Sequence, residues 1–168
     1  VNQAKNSGGT PLYIACEQGH LECAQLLLGA GAAVNQPKDT GATPLFTACE
    51  KGHFECVRLL LGADAAVNQA RNSGWTPLII ACSHGHPNVV RCLLRAGAAV
   101  NQAADHGVTP LFIACQNGQL ECAQLLLGAS AAVNQAADSG ATPLYVACQN
   151  GHLKCARLLL GANAADNQ

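Results

Sequence analysis

No methionine occurs among the 168 residues, and position 1 is Val. We therefore expect a processed or excised piece of a longer chain, with any targeting signal outside it. Long apolar runs are missing too: the longest, "LLLGAGAAV" from Leu26 to Val34, is too short and too rich in glycine to cross a bilayer. There is no charged start followed by an apolar segment, so no secretory signal is visible. An excess of one charge is also absent, since nine basic residues face ten acidic ones and the signs are spread along the chain. That balance argues against nucleic-acid binding and against a polybasic membrane anchor. Catalytic signatures are lacking as well: no glycine-rich phosphate loop, no Gly-x-Ser-x-Gly, no carboxylate pair at fixed spacing. Neither an enzyme nor a cofactor is expected.

What is there is repetition. Thr-Pro-Leu opens at Thr10, Thr43, Thr76, Thr109 and Thr142, always 33 residues apart, and Val-Asn-Gln opens at Val1, Val34, Val67, Val100 and Val133 on the same period. The chain divides into five units, about 1–33, 34–66, 67–99, 100–132 and 133–165, and a degraded "DNQ" at 166–168 opens a sixth. No linker separates them. With 49% apolar residues, this is one folded domain.

Within a unit, Thr10 caps a helix whose first position is Pro11, where a missing N–H does no harm. Leu12, Ala15 and Cys16 fall on one face, and Gly19 supplies the left-handed residue that ends the helix after about two turns. A turn through His20 leads to a second helix, about Leu21 to Leu28, with Ala24, Leu27 and Leu28 on one stripe and Cys23 and Leu26 beside them. Asn35 and Gln36 then run through a Lys38-Asp39-Thr40-Gly41 turn, a short hairpin that projects from the helices. Helices of this length fall below the roughly 12 to 15 residues that are marginal alone in water, so each unit must lean on its neighbours. Small residues on the first helix and leucines on the second let one row sit closer than the other. The expectation is an all-α, curved solenoid.

Ten cysteines fall two per unit. Cys16, His20 and Cys23 are three candidate zinc ligands, but a tetrahedral structural site needs four, and no fourth ligand recurs. Gln119 replaces the histidine in the fourth unit, Val89 takes the Cys23 register in the third, and Cys92 sits where other units carry Leu. Valine and leucine replace a packed hydrophobe, not a ligand. We expect core thiols, no metal, no disulfide, and hence a cytoplasmic or nuclear setting. Only Cys92, between Arg91 and Arg95, has evident positive neighbours. His20, His53, His86 and His152 follow the helix-ending glycine, where a turn histidine bonds nearby backbone. Glu22, Glu55 and Glu121 fall on a solvated face.

Taken together, "GGTPLYIACEQGHLECAQLLLGAGAAVNQ" resembles the ankyrin repeat, in all five units. The resemblance implies two antiparallel helices and a β-turn finger per unit, stacked into a curved array that binds other proteins without catalysis. It also implies that finger asparagines such as Asn35 and Asn68 are open to hydroxylation. The family's histidine after Thr-Pro-Leu is Tyr13, Phe46, Ile79, Phe112 and Tyr145 here, and its turn aspartate is Lys5, Lys38, Arg71, Ala104 and Ala137.

Positions alike in all units build the stack, while those that differ and point outward, by the resemblance, are free to encode a partner. They are the finger residues, among them Asn6 and Ser7, the residue before each Thr, and the end of each first helix, Glu17 and Gln18 among them. The candidate partner-binding residues are Lys5, Lys38, Thr40, Arg71, Ser73, Trp75, Ser83, His84, His106, Val108, Gln116 and Asn117. Along this strip the fingers go from basic (Lys5, Lys38, Arg71) to neutral (Ala104, Ala137). Its centre holds the single tryptophan, which is read either as an interface anchor beside Arg71 or as a ring folded over its own finger. The expected function is a non-catalytic scaffold or adaptor that binds a protein or peptide on its concave side. The alternative is a structural spacer in a longer array. A monomer is expected, with end-to-end association through uncapped ends as the other state.

Overall fold

The computed structural model describes residues 1–5 and 8–162. Asn6 and Ser7 of the first finger, and the Asp166-Asn167-Gln168 that opens a sixth unit, lie outside the described residues. In chain order the helices are α1 Pro11–Gln18, α2 Leu21–Gly29, α3 Pro44–Lys51, α4 Phe54–Gly62, α5 Pro77–His84, α6 Pro87–Arg95, α7 Pro110–Gln116, α8 Leu120–Gly128, α9 Pro143–Gln149 and α10 Leu153–Gly161. Among the described residues there is no strand, and no helix is long and apolar enough to cross a membrane.

Each Thr-Pro does what its chemistry dictates. Thr10 is extended (φ −76, ψ 162), its Oγ1 accepts from Tyr13 N at 3.2 Å, and Pro11 takes the first helical position. Thr43, Thr76, Thr109 and Thr142 repeat the cap. Gly19, Gly52 and Gly85 end their helices in the left-handed region. In the last two units the helix stops at Gln116 and Gln149, and the left-handed turn falls on Gly118 and Gly151. The finger is a β-turn closed on itself: Gly41 N donates to Lys38 O at 2.8 Å and Lys38 N to Ala42 O at 2.9 Å.

The odd-numbered helices form an inner row packed closely on one another, and the even-numbered ones an outer row in looser contact. This difference in spacing is the source of the curvature that small inner and bulky outer residues predict. Leu45, Leu78 and Leu111 fill the inner row and Leu60, Leu93 and Leu126 the outer, all fully buried. Each such side chain gains about 1.5–3 kcal/mol on leaving water. At the two ends other apolar side chains are open: Ile14 and Leu26 are exposed in the first unit, Tyr145 and Leu160 in the last.

Polar side chains tie the two ends of a unit to one another and each unit to the one before it. Asn2, Asn35, Asn68 and Asn101 each accept, through Oδ1, from the backbone N–H of Ala33, Ala66, Ala99 and Ala132, all at 2.8 Å. The turn histidines do not bond nearby backbone, as expected from sequence, but reach the preceding unit. His53 Nε2–H donates to Glu17 O at 3.1 Å, His86 to Glu50 O at 3.0 Å and His152 to Gln116 O at 3.0 Å. Where Gln119 replaces the histidine, Asn117 Nδ2 supplies the equivalent bond to Ser83 O at 3.0 Å. The ring sits so close to the glycine of the unit before it that a Cβ on Gly52 would lie 2.7 Å from His86.

The cysteines are packing elements, and they meet between units rather than within one. Each inner thiol is covered by the following unit and each outer thiol by the preceding one. Cys56 lies close enough to Cys16 to raise it further, Cys155 does the same to Cys115, and Cys82 and Cys122 form a close thiol pair. Burial pushes Cys16 and Cys115 up to about 12 and holds Cys49 and Cys82 well above the ordinary thiol value. The expectation of buried cysteines fails for Cys23 and Cys148, which are exposed because no unit covers them from the free side. Cys92 is half-buried and raised by burial, with Arg58 and Arg95 opposing. Arg91, expected beside it, turns instead to Glu121 at 3.6 Å. One group in the core is left without a partner: the hydroxyl of Thr47, fully buried where other units carry Ile or Val.

Four outcomes follow from this packing. Replacing Thr47 with Val removes an orphaned hydroxyl and raises stability by about 1 kcal/mol in a denaturant titration. Gly52→Ala and Gly97→Ala both place a side chain in the left-handed region, at a cost of about 1–2 kcal/mol, but only the first also displaces a histidine ring, so it destabilises more. Alkylation of the native chain modifies Cys23 and Cys148 first, and the buried thiols react only on unfolding. Because Cys16 and Cys115 keep their protons when folded up to about pH 12, while an unfolded thiol loses its own near 9, stability is intact below pH 9 and falls as pH rises through that window.

Candidate functional site

The fingers and the inner-helix ends form one continuous strip. Adjacent fingers are bonded to each other: Asn72 N donates to Thr40 O at 3.0 Å and its Nδ2 to Asp39 O at 3.1 Å, while Asp138 N donates to His106 O at 3.0 Å. Asp105 N makes a longer bond to Ser73 O, 3.3 Å. The strip is thus a row of turns held in register, a rigid base for side chains that vary.

Of the candidate residues, Lys5, Thr40, His84, His106, Gln116 and Asn117 are exposed. Lys38, Arg71, Ser73, Trp75, Ser83 and Val108 are half-buried. The half-buried set is engaged with the array. Lys38 Nζ lies 5.4 Å from the centre of the Tyr13 ring. The Arg71 guanidinium sits between two rings, 5.5 Å from Phe46 and 5.4 Å from Trp75, and its Nε–H donates to Ser73 Oγ at 2.8 Å. Ser83 accepts from Asn117 Nδ2 at its carbonyl and, at 3.2 Å, at its hydroxyl. The tryptophan ring packs against the core and on Arg71, and it keeps a solvent face.

His84 is held at the end of α5, with Nδ1–H donating to Ile80 O at 3.1 Å and its ring stacked on His86 at 6.1 Å. His106 occupies the left-handed region (φ 63) in the one-turn 3-10 helix Asp105–Gly107, which serves as the fourth finger. The fingers of the fourth and fifth units are acidic rather than neutral, while in the second finger the exposed Asp39 stands beside Lys38. Ala104 and Ala137 tuck in, and the residues that face solvent beside them are the carboxylates Asp105 and Asp138. Glu17 is half-buried and Gln18 exposed, while Glu22, Glu55 and Glu121 are exposed on the outer helices.

Sequence reasoning missed the rings beneath the finger cations. The signal was there, since Tyr13 to Lys38 and Phe46 to Arg71 share one offset of 25 residues. It also missed a cavity of about 740 Å³ near the other end of the strip, lined by Phe112, Gln116, Ser139, Tyr145, Gln149 and Asn150. Among the described residues, no three His, Cys, Asp or Glu side chains converge as metal ligands.

A comparison with curated proteins returned no match. The family model for ankyrin repeats, three copies long, matches residues 1–69, 30–105, 64–137 and 100–168. Ankyrin repeats are in general protein–protein interaction modules, and typically non-enzymatic. Overlapping matches over the whole chain, laid on capped helix pairs, Gly-His turns and bonded fingers, make this chain a member of the ankyrin repeat family.

Proposed function

We propose that the array is a scaffold or adaptor that binds a segment of another protein along the strip of fingers and inner-helix ends, with the Arg71–Trp75 pair near its middle. One observation carries the reading. The side chains shared by all units are consumed by caps, turns and bonds between units, whereas the variable ones at Thr40, His84, His106 and Gln116 are exposed on a rigid base. A preorganised surface loses little entropy on binding. An aromatic ring beside a guanidinium, rimmed by polar groups, has the composition of an interface anchor. Ten unbridged cysteines fit a cytoplasmic or nuclear setting as part of the same proposal.

A second reading, a spacer within a longer array, is favoured by the exposed Leu26 and Leu160, which units built like these would cover. Sedimentation over a range of concentrations tests its end-to-end form, which predicts mass that grows with concentration.

Peptides selected by display against the whole chain test the main reading. Trp75→Ala weakens their binding by about thirtyfold, the scale of a hot-spot aromatic, and His84→Ala weakens it less. Glu55→Ala, on the outer face, leaves affinity unchanged. Peptides that ignore Trp75 and His84 but are lost with Glu55→Ala place the site on the outer helices instead.

A further inference from the structure

The array seats its own finger cations on aromatic rings. Arg71 has the fuller seat: Phe46 from the unit before it, Trp75 from its own finger, and Ser73 Oγ as a hydrogen-bond acceptor. Two units further on, half of this arrangement recurs. Phe112 stands in register with Phe46 and Ser139 with Ser73, but Ala137 stands where Arg71 does and Ala141 where Trp75 does. The ring and the hydroxyl are kept, and the two large side chains that would cover them are gone. In the unit between, Ala104 follows Ile79, so the ring is missing as well as the cation.

The place where the large side chains are missing is where the cavity of about 740 Å³ opens, a size within the range of ~300–1,000 Å³ usual for ligand sites. Its Phe112 and Gln116 wall lies between two units, and Tyr145, Gln149 and Asn150 belong to the last described one. No charged side chain lines it, and its polar side chains are amides and hydroxyls. Amide and hydroxyl oxygens accept from guanidinium N–H groups, and ring faces attract the cation. The fingers beside it present the exposed carboxylates of Asp105 and Asp138 and carry no lysine or arginine, so the local field favours positive charge.

We propose that this cavity takes the arginine side chain of a partner segment, with the guanidinium over Phe112 and near Ser139 as Arg71 lies over Phe46 and near Ser73. The proposal rests on the concave-strip reading and names the chemistry of one of its contacts. Arginine is specified rather than lysine because a planar fork matches several fixed amide and hydroxyl oxygens at once, whereas an ammonium is a strongly hydrated point charge.

The test is a titration of the whole chain, followed by NMR, with the blocked tripeptide acetyl-Gly-Arg-Gly-amide and its citrulline counterpart, which keeps the shape and loses the charge. The arginine peptide shifts Phe112, Ser139 and Tyr145 saturably, and the citrulline peptide binds at least about tenfold more weakly. Ala137→Arg, which refills the seat from within the chain, abolishes binding, while Ala104→Arg, in the finger that lacks the ring, does not. Helix content of both variants is checked by circular dichroism. No saturable shift, equal binding of citrulline, or full binding to Ala137→Arg overturns the proposal. The displayed peptides separate this from the broader reading: binders that need Trp75 but carry no arginine, and that ignore Ala137→Arg, remove the seat and leave the strip, whereas binders that ignore both Trp75 and Gln116 remove both.

Discussion

A pair of helices eight and nine residues long cannot bury its own apolar face, so each unit of this array is completed by the next. The rest of the structure depends on that contact. It decides where the polar groups go: His53, His86 and His152 spend their ring hydrogen bonds on the preceding unit rather than on their own turn. It decides where the thiols go as well, because the Cys that is small enough for the inner row of one unit meets the Cys of the outer row of the following one. An isolated unit would leave all of these groups facing water at once, which makes the stack cooperative across its length.

The fold was legible because its signals are local. Thr-Pro, the helix-ending glycine and the finger turn act within four residues, and the observed helices begin and end where those residues put them. What local reading cannot see is the direction of a bond that spans 31 or 36 residues. His53 was recognisable as a turn residue, but its acceptor, the carbonyl of Glu17, has no side-chain signature. The fourth unit makes the reason plain: a sequence comparison sees Gln119 as the loss of a histidine, whereas the backbone carbonyl it would have served is taken by Asn117. Cys23 and Cys148 fail for a related reason, since burial at those registers belongs to the neighbouring unit and not to the residue.

The strip was legible as a set of positions and not as a surface. Variation among units marked Arg71, Trp75 and His84, but it gave no sign that Arg71 is gripped between two rings while His84 is exposed, bonded to its own helix and stacked on His86. The two alanines that open the fourth and fifth fingers illustrate the limit best. As residues they read as an absence of charge; folded, they turn inward and hand the solvent face to Asp105 and Asp138. The fingers thus pass from the cations Lys5 and Arg71, with Lys38 offset by Asp39 between them, to net negative charge in the last two units, although the net charge of the whole chain is only −1.

That reversal constrains what one ligand can do along the whole strip. Attraction of a uniformly charged segment to one end is offset by repulsion at the other, and each contact acts locally because physiological salt screens exposed charges beyond ~8–10 Å. A segment that follows the strip therefore gains most when its own charges run in the opposite sense, acidic toward Lys5 and Arg71 and basic toward Asp105 and Asp138. Such an arrangement fixes direction as well as partner, because reversing the segment sets like charges against each other at both ends. In a stack whose units are nearly identical, direction is the one thing that shape alone cannot specify.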